Sequence, residues 1–274
     1  MRSIRRIGSA AVFVAVLMGA AGVAAQETAE VFQGEAAEQF LAKARLARMQ
    51  GIAQGVTAPR RATLALDGVT RSAVFKTVDI ERPGYVQLNN GQVEVNFVDT
   101  WRTEVAAYVL DRMIGLGLVP ATIERSFQGT PGSLQWWVES EMAEAQRLKD
   151  KIQPPDAAAW NRQQMNMALF DNLIYNTDRH LNNVLVTKNF EIRLIDHSRS
   201  FRSMPNLMPN HVMTRFSRSL LASLGKLEKQ ELNKRVGKYV SGLQIDSLLK
   251  RRDAILELAK KLVVEKGEEA VLFP

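Results

Sequence analysis

The sequence contains no cysteine and only three histidines among its 274 residues. The histidines are His180, His197 and His211. The absence of cysteine excludes a disulfide framework, a thiolate zinc site and a cysteine nucleophile. So few histidines leave little room for a histidine-rich metallohydrolase centre. These two shortages remove several common classes of enzyme before any motif is considered.

Two glycine-rich nucleotide motifs are also missing. The sequence has no G-x-G-x-x-G and no G-x-x-x-x-G-K-[ST], which argues against Rossmann and P-loop nucleotide sites. Its composition is 46% hydrophobic, which excludes a disordered tail protein. The length allows one large domain or two smaller lobes around a sizeable core.

The first 25 residues have the pattern of a secretory signal. Arginines at positions 2, 5 and 6 precede an apolar run over 10–18, and Val23-Ala24-Ala25 is typical of a signal-peptidase site. The alternative is an uncleaved membrane anchor, but the run is shorter than the roughly 20 apolar residues that span a bilayer. We therefore expect an exported protein, periplasmic or secreted, with no stable membrane span after cleavage.

The charge that remains after cleavage does not indicate nucleic acid as a partner. Cleavage after Ala25 leaves 249 residues and removes three arginines and no acidic residue, which lowers the net charge from +7 to +4. Basic residues are spread along the chain, with short clusters at Arg60-Arg61 and over 250–252. We interpret each cluster as a solvated helix face.

The residue pattern changes from strands to helices along the chain. The first half predicts a helix over 35–49, hairpins over 62–77 and around 89–91, a helix over 101–114 capped by Asp99, and a strand pair over 122–127 and 134–138 with its turn at 129–132. The second half predicts a helix over 156–175, strands over 184–187 and 191–195, and helices from about 209 to 267. We therefore predict an α+β, two-lobed fold, with a signal over 1–25, a strand-rich N-lobe over 26–138 and a helical C-lobe over 139–274.

The densest group of polar residues lies between Asn176 and Asp196. Asn183 directly precedes the first strand of a predicted hairpin, and Asp196 directly follows the second. Opposed residues of an antiparallel pair sit roughly 4.5–5.5 Å apart, which is close enough for an amide oxygen and a carboxylate to share one hard cation. Asp178 lies in the preceding loop and could reach the same cation. This arrangement suits phosphoryl transfer.

A purely structural interpretation of these residues remains open. Aspartate and asparagine are common in turns, where they cap helices and tolerate left-handed backbone. His180 and His197 could each be an ordinary loop or core histidine. Three oxygen-bearing side chains at this spacing, two of them flanking one hairpin, favour the functional interpretation.

A phosphate-binding lysine would be needed in the first half of the chain. Lys76 ends an apolar strand, where an inward-facing cation needs an anion, and Glu104 in the following helix is the best candidate. The alternative is a surface lysine. Gly51 and the segment Gly55-Val56-Thr57 could form a flexible cover over phosphates.

The order Lys76, Glu104, Asp178, Asn183, Asp196 resembles that of the atypical protein/lipid kinase superfamily. Asn-Thr-Asp-Arg-His-Leu-Asn-Asn followed by Leu-Ile-Asp-His is similar to the catalytic and metal loops of phosphoinositide 3/4-kinases, HipA-type kinases and secretory-pathway casein kinases. The segment 101–120 resembles the first-lobe helix of bacterial members. Asp196-His197-Ser198 lacks the glycine that usually follows the metal aspartate.

The resemblance implies a role for each matching position. Asp178 would be the catalytic carboxylate, Asn183 and Asp196 would be ligands of Mg²⁺ or Mn²⁺, and Lys76 would contact phosphates with Glu104 as its partner. Backbone groups at Val138 and Glu139 would bind the adenine of ATP, and Gly55 would lie over the phosphates.

The leading hypothesis is an ATP- and metal-dependent phosphotransferase that acts on a hydroxyl of a protein, lipid or small molecule. A second hypothesis is a catalytically silent kinase fold that serves as a nucleotide-binding or scaffold module in the cell envelope, because an exported protein meets little ATP. A phosphodiesterase using His180 and Asp178 is a third, although its metal centre would usually need more histidines.

Overall fold

The computed structural model describes residues 32–52, 58–87, 91, 93–209 and 211–274. The predicted signal over 1–25 and Gly55 lie outside the described residues. The N-terminal elements are α1 (Glu35–Lys43), β1 (Arg45–Gly51), β2 (Arg60–Leu66), β3 (Val69–Lys76), β4 (Asp79–Gln87), β5 (Val93–Thr100), α2 (Trp101–Ile114), β6 (Thr122–Phe127) and β7 (Thr130–Trp136).

An antiparallel sheet forms most of this N-terminal region. Its five strands lie in the order β1-β2-β3-β7-β6, whereas β4 and β5 pair in a separate two-stranded sheet. The turn between β2 and β3 is made by Asp67 and Gly68, both with positive φ, as the Asp-Gly pair predicts. The first predicted hairpin is confirmed. The second is present as the β4–β5 pair, while Asn89 and Asn90 of its predicted turn lie outside the described residues.

The predicted helix over 35–49 is wrong in its second half. The helix ends at Lys43, and Arg45–Gly51 is a strand that pairs with β2 from Arg45↔Ala65 to Gly51↔Arg60. Local apolar spacing favoured the helix, but β2 offers an unpaired edge, and the ladder hydrogen bonds decide the structure. Arg60-Arg61 accordingly lies on a strand, not on a solvated helix face as predicted.

Glycine at position 132 allows β7 to approach the end of β3 closely. A side-chain carbon there would lie 2.3 Å from the Lys76 carbonyl oxygen and 2.7 Å from the Phe75 ring. Gly132 and Pro131 were predicted to lie in a turn, but they belong to β7, and the turn is at Gln128-Gly129. The strand that ends at Lys76, β3, pairs with β2 on one side and with β7 on the other.

The C-terminal region is mainly helical. Its elements are β8 (Met142–Ala143), α3 (Glu144–Lys149), α4 (Ala157–Ile174), β9 (Val184–Val186), β10 (Ile192–Leu194), β11 (Phe216–Ser217), α5 (Arg218–Leu224), α6 (Lys229–Val236), α7 (Gly242–Lys266), α8 (Glu268–Val271) and β12 (Leu272–Phe273). β9 pairs antiparallel with β10 and β8, and β11 pairs with β12. No helix among the described residues has the length and apolarity to cross a membrane.

The long helix α4 matches its prediction closely. Asp156 caps its start by accepting from the backbone N–H of Ala158 and Ala159 at 2.9 Å each, and Tyr175 ends it in left-handed backbone with φ 51°. The N-cap of α2 differs from its prediction, because Thr100, not Asp99, accepts from Arg102 N–H. The predicted boundary between lobes at Val138-Glu139 stays a prediction.

Candidate functional site

Lys76, Glu104 and Asp196 form one ionic cluster, in which Lys76 and Glu104 are buried and Asp196 is partly exposed. Lys76 Nζ lies 2.5 Å from Glu104 Oε1 and 2.8 Å from Asp196 Oδ1. Lys76 comes from the end of β3, Glu104 from the first turn of α2, and Asp196 from the loop after β10. The cluster joins the sheet to the helical region, and Lys76 is not the surface lysine of the alternative interpretation.

Burial and charge together set the protonation of this cluster. Burial opposes the charged form of Lys76, but Glu104 and Asp196 outweigh it and raise the pKa of Lys76 above its ordinary value. Burial opposes the charged form of Glu104 too, but Lys76 and His197 together outweigh it and lower the pKa of Glu104. Both groups are therefore charged at neutral pH.

Asp196 stands in left-handed backbone, with φ 60°. Its Oδ1 accepts from Ser198 Oγ at 3.3 Å as well as from Lys76. The backbone after it is fixed to α2, because Thr103 Oγ1 donates toward the His197 and Ser198 carbonyls at 2.9 and 3.0 Å. Glycine is missing from the position after Asp196, and these contacts to α2 hold the loop there.

His197 is a buried residue that supports Glu104. Its backbone N–H donates to Glu104 Oε2 at 3.0 Å, and its Nδ1 lies 3.6 Å from the same oxygen. Burial is the main cause that lowers the pKa of His197, so its ring is neutral near pH 7. This arrangement agrees with the interpretation of His197 as a core histidine.

Asp178 and Asn183 lie in one loop that follows α4. Asn183 Nδ2 donates to the Asp178 carbonyl at 3.3 Å, and Asp178 N–H donates to Asn176 Oδ1 at 3.1 Å. Asn183 O accepts from Ile195 N–H at 3.0 Å, so Asn183 lies opposite the residue before Asp196. The predicted neighbourhood of Asn183 and Asp196 at one end of the hairpin is therefore present.

The Asp178 carboxylate lies close to two basic side chains, those of His180 and Arg199. Its Oδ1 lies 2.7 Å from Nε2 of the exposed His180 and 3.5 Å from Nη1 of Arg199. The Asp178 side chain is 26% exposed, which leaves it accessible to a substrate. Arg199 was not among the predicted site residues.

Arg179 and Asp171 are a second pair that sequence analysis did not select. Arg179 Nη2 and Nε lie 3.0 Å from Asp171 Oδ1 and Oδ2, and Nη1 donates to the Ile195 and Asn183 carbonyls at 2.6 and 3.2 Å. One guanidinium thus ties α4 to both strands of the β9–β10 hairpin at its open end. The signal was present in the Asp-Arg-His motif, where Arg179 directly follows Asp178.

Another buried arginine corrects the interpretation of residues 250–252 as a solvated helix face. Arg251 on α7 is fully buried and donates to the Leu173 and Arg202 carbonyls at 2.9 and 3.0 Å. Burial lowers its pKa to about 10. The Arg251 side chain joins the end of α4 to the segment after Asp196. It therefore belongs to the interior of the protein and not to a solvated helix face.

The segment after β7 contains Val138 and Glu139. Val138 is buried and Glu139 is exposed. The chain then reaches the sheet of β8–β10, where Glu141 N–H donates to the Val186 carbonyl at 2.9 Å. These two residues lie between β7 and β8.

The fold as a whole has a match among solved structures. No protein-family model and no curated protein sequence matches the chain. The crystal structure of the Helicobacter pylori proinflammatory kinase CtkA is similar, with 11% identity and a TM-score of 0.53 over 81% of this chain and 96% of that one. This chain has a kinase-like fold. The predicted fold class is confirmed, whereas the choice among superfamily members stays a prediction.

Asn183 and Asp196 of this kinase-like fold offer oxygen atoms, which suit a hard divalent cation. The Asn183 amide nitrogen is used by the Asp178 carbonyl, so the amide oxygen is left for a cation, and the Asp196 side chain is 32% exposed. The described residues contain no group of three His, Asp or Glu side chains arranged to hold a metal. A cation bound here would take further oxygens from phosphates, as magnesium usually does.

The pH dependence of stability tests the ionic cluster through Lys76→Met. The depressed pKa of Glu104 stabilises the wild type above its unfolded value of about 4.3, and this contribution is lost as pH falls through the folded pKa. Without Lys76, burial raises the pKa of Glu104, so protonation at low pH relieves the variant. We expect the stability deficit of Lys76→Met to shrink between pH 7 and pH 4, by about 1.4 kcal/mol for each unit of pKa change.

Urea unfolding at both pH values measures this difference. Lys229→Met is the matched control, because Lys229 forms an exposed pair with Asp246 at 2.6 Å and its loss should cost about 1 kcal/mol or less. A Lys76→Met deficit that is the same at pH 7 and pH 4 would show that Glu104 does not depend on Lys76 for its charge.

Proposed function

We propose that this chain is an ATP- and metal-dependent phosphotransferase that moves a phosphoryl group to an alcohol. The observation that carries the proposal is the contact of Lys76 with both Glu104 and Asp196 inside a kinase-like fold. A buried lysine held between two carboxylates is positioned to meet the anionic phosphates of a nucleotide.

Each residue of the site has a separate task in this proposal. Lys76, oriented by Glu104, binds phosphate oxygens. Asn183 and Asp196 hold Mg²⁺ or Mn²⁺, which when bound neutralises charge on the phosphates. Asp178 orients the acceptor hydroxyl and receives its proton.

The nucleotide base completes the arrangement. Backbone groups at Val138 and Glu139 bind adenine in this proposal, because these residues connect the two regions beside β7. Gly55 is proposed to cover the phosphates from the segment between β1 and β2. A protein, lipid or small-molecule alcohol is the acceptor, and the chain acts without nucleic acid.

Asp196→Asn is the variant that tests the metal-dependent part. Purified protein should gain about 2.7 kcal/mol of stability at an ATP concentration 100 times the dissociation constant when Mg²⁺ or Mn²⁺ is present. Asp196→Asn should lose most of this gain and at least tenfold of any ATP turnover, since one carboxylate ligand is gone. Thermal unfolding with and without metal, together with ADP release, measures both effects.

Asp150→Asn is the control for this experiment, because Asp150 is an exposed aspartate at the end of α3. Equal turnover in wild type and Asp196→Asn would refute the proposed role of Asp196. Stabilisation by ATP and metal without any turnover would favour the second hypothesis, a nucleotide-binding scaffold.

Export is a further part of the proposal and rests on the pattern of residues 1–25. Amino-terminal sequencing of the protein from its host is expected to begin at Gln26, in a periplasmic or secreted fraction. A cytosolic protein that retains residues 1–25 would contradict export and leave the phosphotransferase proposal standing.

A further inference from the structure

A single glutamate of the β4–β5 hairpin contacts two arginines of the segment after Asp196. Glu94 on β5 pairs through Oε1 with Nη2 of Arg199 and lies 3.2 Å, at Oε2, from Nη2 of Arg202. Arg202 Nη2 also donates to the Val95 carbonyl at 2.7 Å. The side chains are mostly buried, with exposures of 18% for Glu94, 19% for Arg199 and 6% for Arg202.

This carboxylate does not satisfy the two guanidinium groups. Arg199 Nε and Arg202 Nη1 are buried and have no hydrogen-bond partner among the described residues. Glu94 Oε2 is also buried without a hydrogen bond from that part of the chain, although it lies near Arg202. Burial lowers the pKa of Arg202, and although Glu94 raises it, Arg199 lowers it again and the pKa stays below its ordinary value. Buried donors of this kind are normally paired.

We propose that Arg199 and Arg202 form a binding site for a phosphate group carried by the acceptor, and that Glu94 occupies this site when no acceptor is bound. A phosphate has three terminal oxygens around one centre, whereas a carboxylate has two in one plane. A phosphate can therefore accept hydrogen bonds from Arg199 Nε and Arg202 Nη1 as well as from the Nη2 atoms of both arginines. Arginine pairs with phosphate through such parallel hydrogen bonds.

The site lies beside the residue proposed to orient the acceptor. Arg199 Nη1 is 3.5 Å from Asp178 Oδ1, so one guanidinium contacts both Glu94 and Asp178. A molecule whose phosphate binds Arg199 would bring a nearby hydroxyl to Asp178. This inference rests on the proposed phosphotransferase function and names its acceptor class, a phosphorylated alcohol with a second, free hydroxyl.

The reaction balances without a further reagent. The free hydroxyl oxygen of the acceptor forms a bond to the γ-phosphorus of the nucleotide, and the bond from that phosphorus to the bridging oxygen breaks. The nucleoside diphosphate leaves with the electron pair of that bond, and the hydroxyl proton passes to Asp178. The phosphate bound by Arg199 and Arg202 remains on the acceptor throughout.

The hairpin gives the site a built-in competitor. Glu94 already pairs with both arginines, so an acceptor phosphate competes with this carboxylate for the same donors. The ring of Phe97 on the same strand lies 5.2 Å from Arg199 Cζ and limits where that guanidinium can move. An acceptor phosphate therefore binds by displacing the Glu94 carboxylate from the arginines.

The experiment measures binding of inorganic phosphate to the full chain, by calorimetry, without nucleotide or metal. Arg199→Ala is expected to weaken binding at least tenfold. Glu94→Gln is expected to strengthen it several-fold, because a neutral side chain competes less with the anion. A purely structural role of Glu94 would give no gain. Arg82→Ala, an exposed arginine on β4 of the same hairpin, is the matched control and should bind like wild type.

The outcomes separate this proposal from the proposed function. Unchanged phosphate binding in both Arg199→Ala and Glu94→Gln would overturn the site, and phosphate would then bind elsewhere, for example at Lys76. Absence of phosphate binding to wild type and to Glu94→Gln would overturn it too. Neither result affects ATP turnover, which is measured through Asp196→Asn.

A second arm of the experiment identifies the source of the phosphate. Glycerol 3-phosphate and vesicles that contain phosphatidylinositol 4-phosphate are titrated in parallel, each with wild type and Arg199→Ala. Arg199-dependent binding of either one supports the site and says whether the acceptor is soluble or a lipid headgroup. Binding of both without any effect of Arg199→Ala counts against it.

Discussion

Asp178→Asn is expected to lower phosphotransfer by about 10²–10⁴-fold, the usual contribution of a positioned acid–base group. The amide has the size of the carboxylate but cannot receive the proton of the acceptor hydroxyl. The loop should keep its shape, because its bonds to Asn176 and Asn183 use the backbone N–H and C=O of residue 178. Initial rates at saturating ATP, with nucleotide affinity measured separately, give the comparison.

Asp150→Asn serves as the control for the chemistry of the substitution, and thermal unfolding shows whether the variant is folded. Nucleotide affinity is expected to stay within about twofold of wild type, since the phosphates are proposed to bind Lys76 and the metal held by Asn183 and Asp196. A variant that keeps more than a tenth of the wild-type rate would exclude Asp178 as the catalytic carboxylate.

The ionic cluster could be predicted because its residues are marked by local pattern. Lys76 stands at the end of an apolar strand, and Glu104 occupies the first turn of a helix whose spacing is regular. Strand alternation and helix capping are short-range signals, so both elements appear in the sequence itself. The contact of Lys76 with Asp196, 120 residues away, depends on the fold and was not predicted.

The arginines were harder to predict for a physical reason. Arg179, Arg202 and Arg251 are all buried, although arginine is usually an exposed residue. The partners that they do have are carbonyl oxygens or carboxylates from distant segments, such as Leu173 O for Arg251. Sequence gives no signal for a carbonyl partner, since every residue has one. The strand β1 was missed similarly, because its partner β2 decides its structure.

The contact of Glu94 with Arg199 and Arg202 was hard to predict for the same reason, because its partners come from a distant segment. The predicted second hairpin is present, but composition alone could not show that β5 lies against the segment after Asp196. Glu94 is far along the chain from Arg199 and Arg202, and no sequence motif links the three residues. Packing of the hairpin on the site is therefore a finding of the structure.

Arg179→Met is expected to lower the free energy of unfolding by about 3–5 kcal/mol, the cost of removing one partner from a buried ion pair. The substitution leaves the Asp171 carboxylate, which is 2% exposed, without its cation. It also removes the donors to the Asn183 and Ile195 carbonyls, which lie side by side at the open end of the β9–β10 hairpin. Urea unfolding of the variant measures the loss.

Two further variants separate the ion pair from the loop. Arg162→Met, at an exposed position on the same helix as Asp171, should change stability by less than about 0.5 kcal/mol. The double variant Asp171→Leu with Arg179→Met should regain part of the stability, because no unpaired charge is left buried. It should regain no phosphotransfer, since the carbonyls of Asn183 and Ile195 still lack the guanidinium that holds the hairpin beside Asp196. Recovery of both together would mean that Arg179 acts on stability alone and does not position the site.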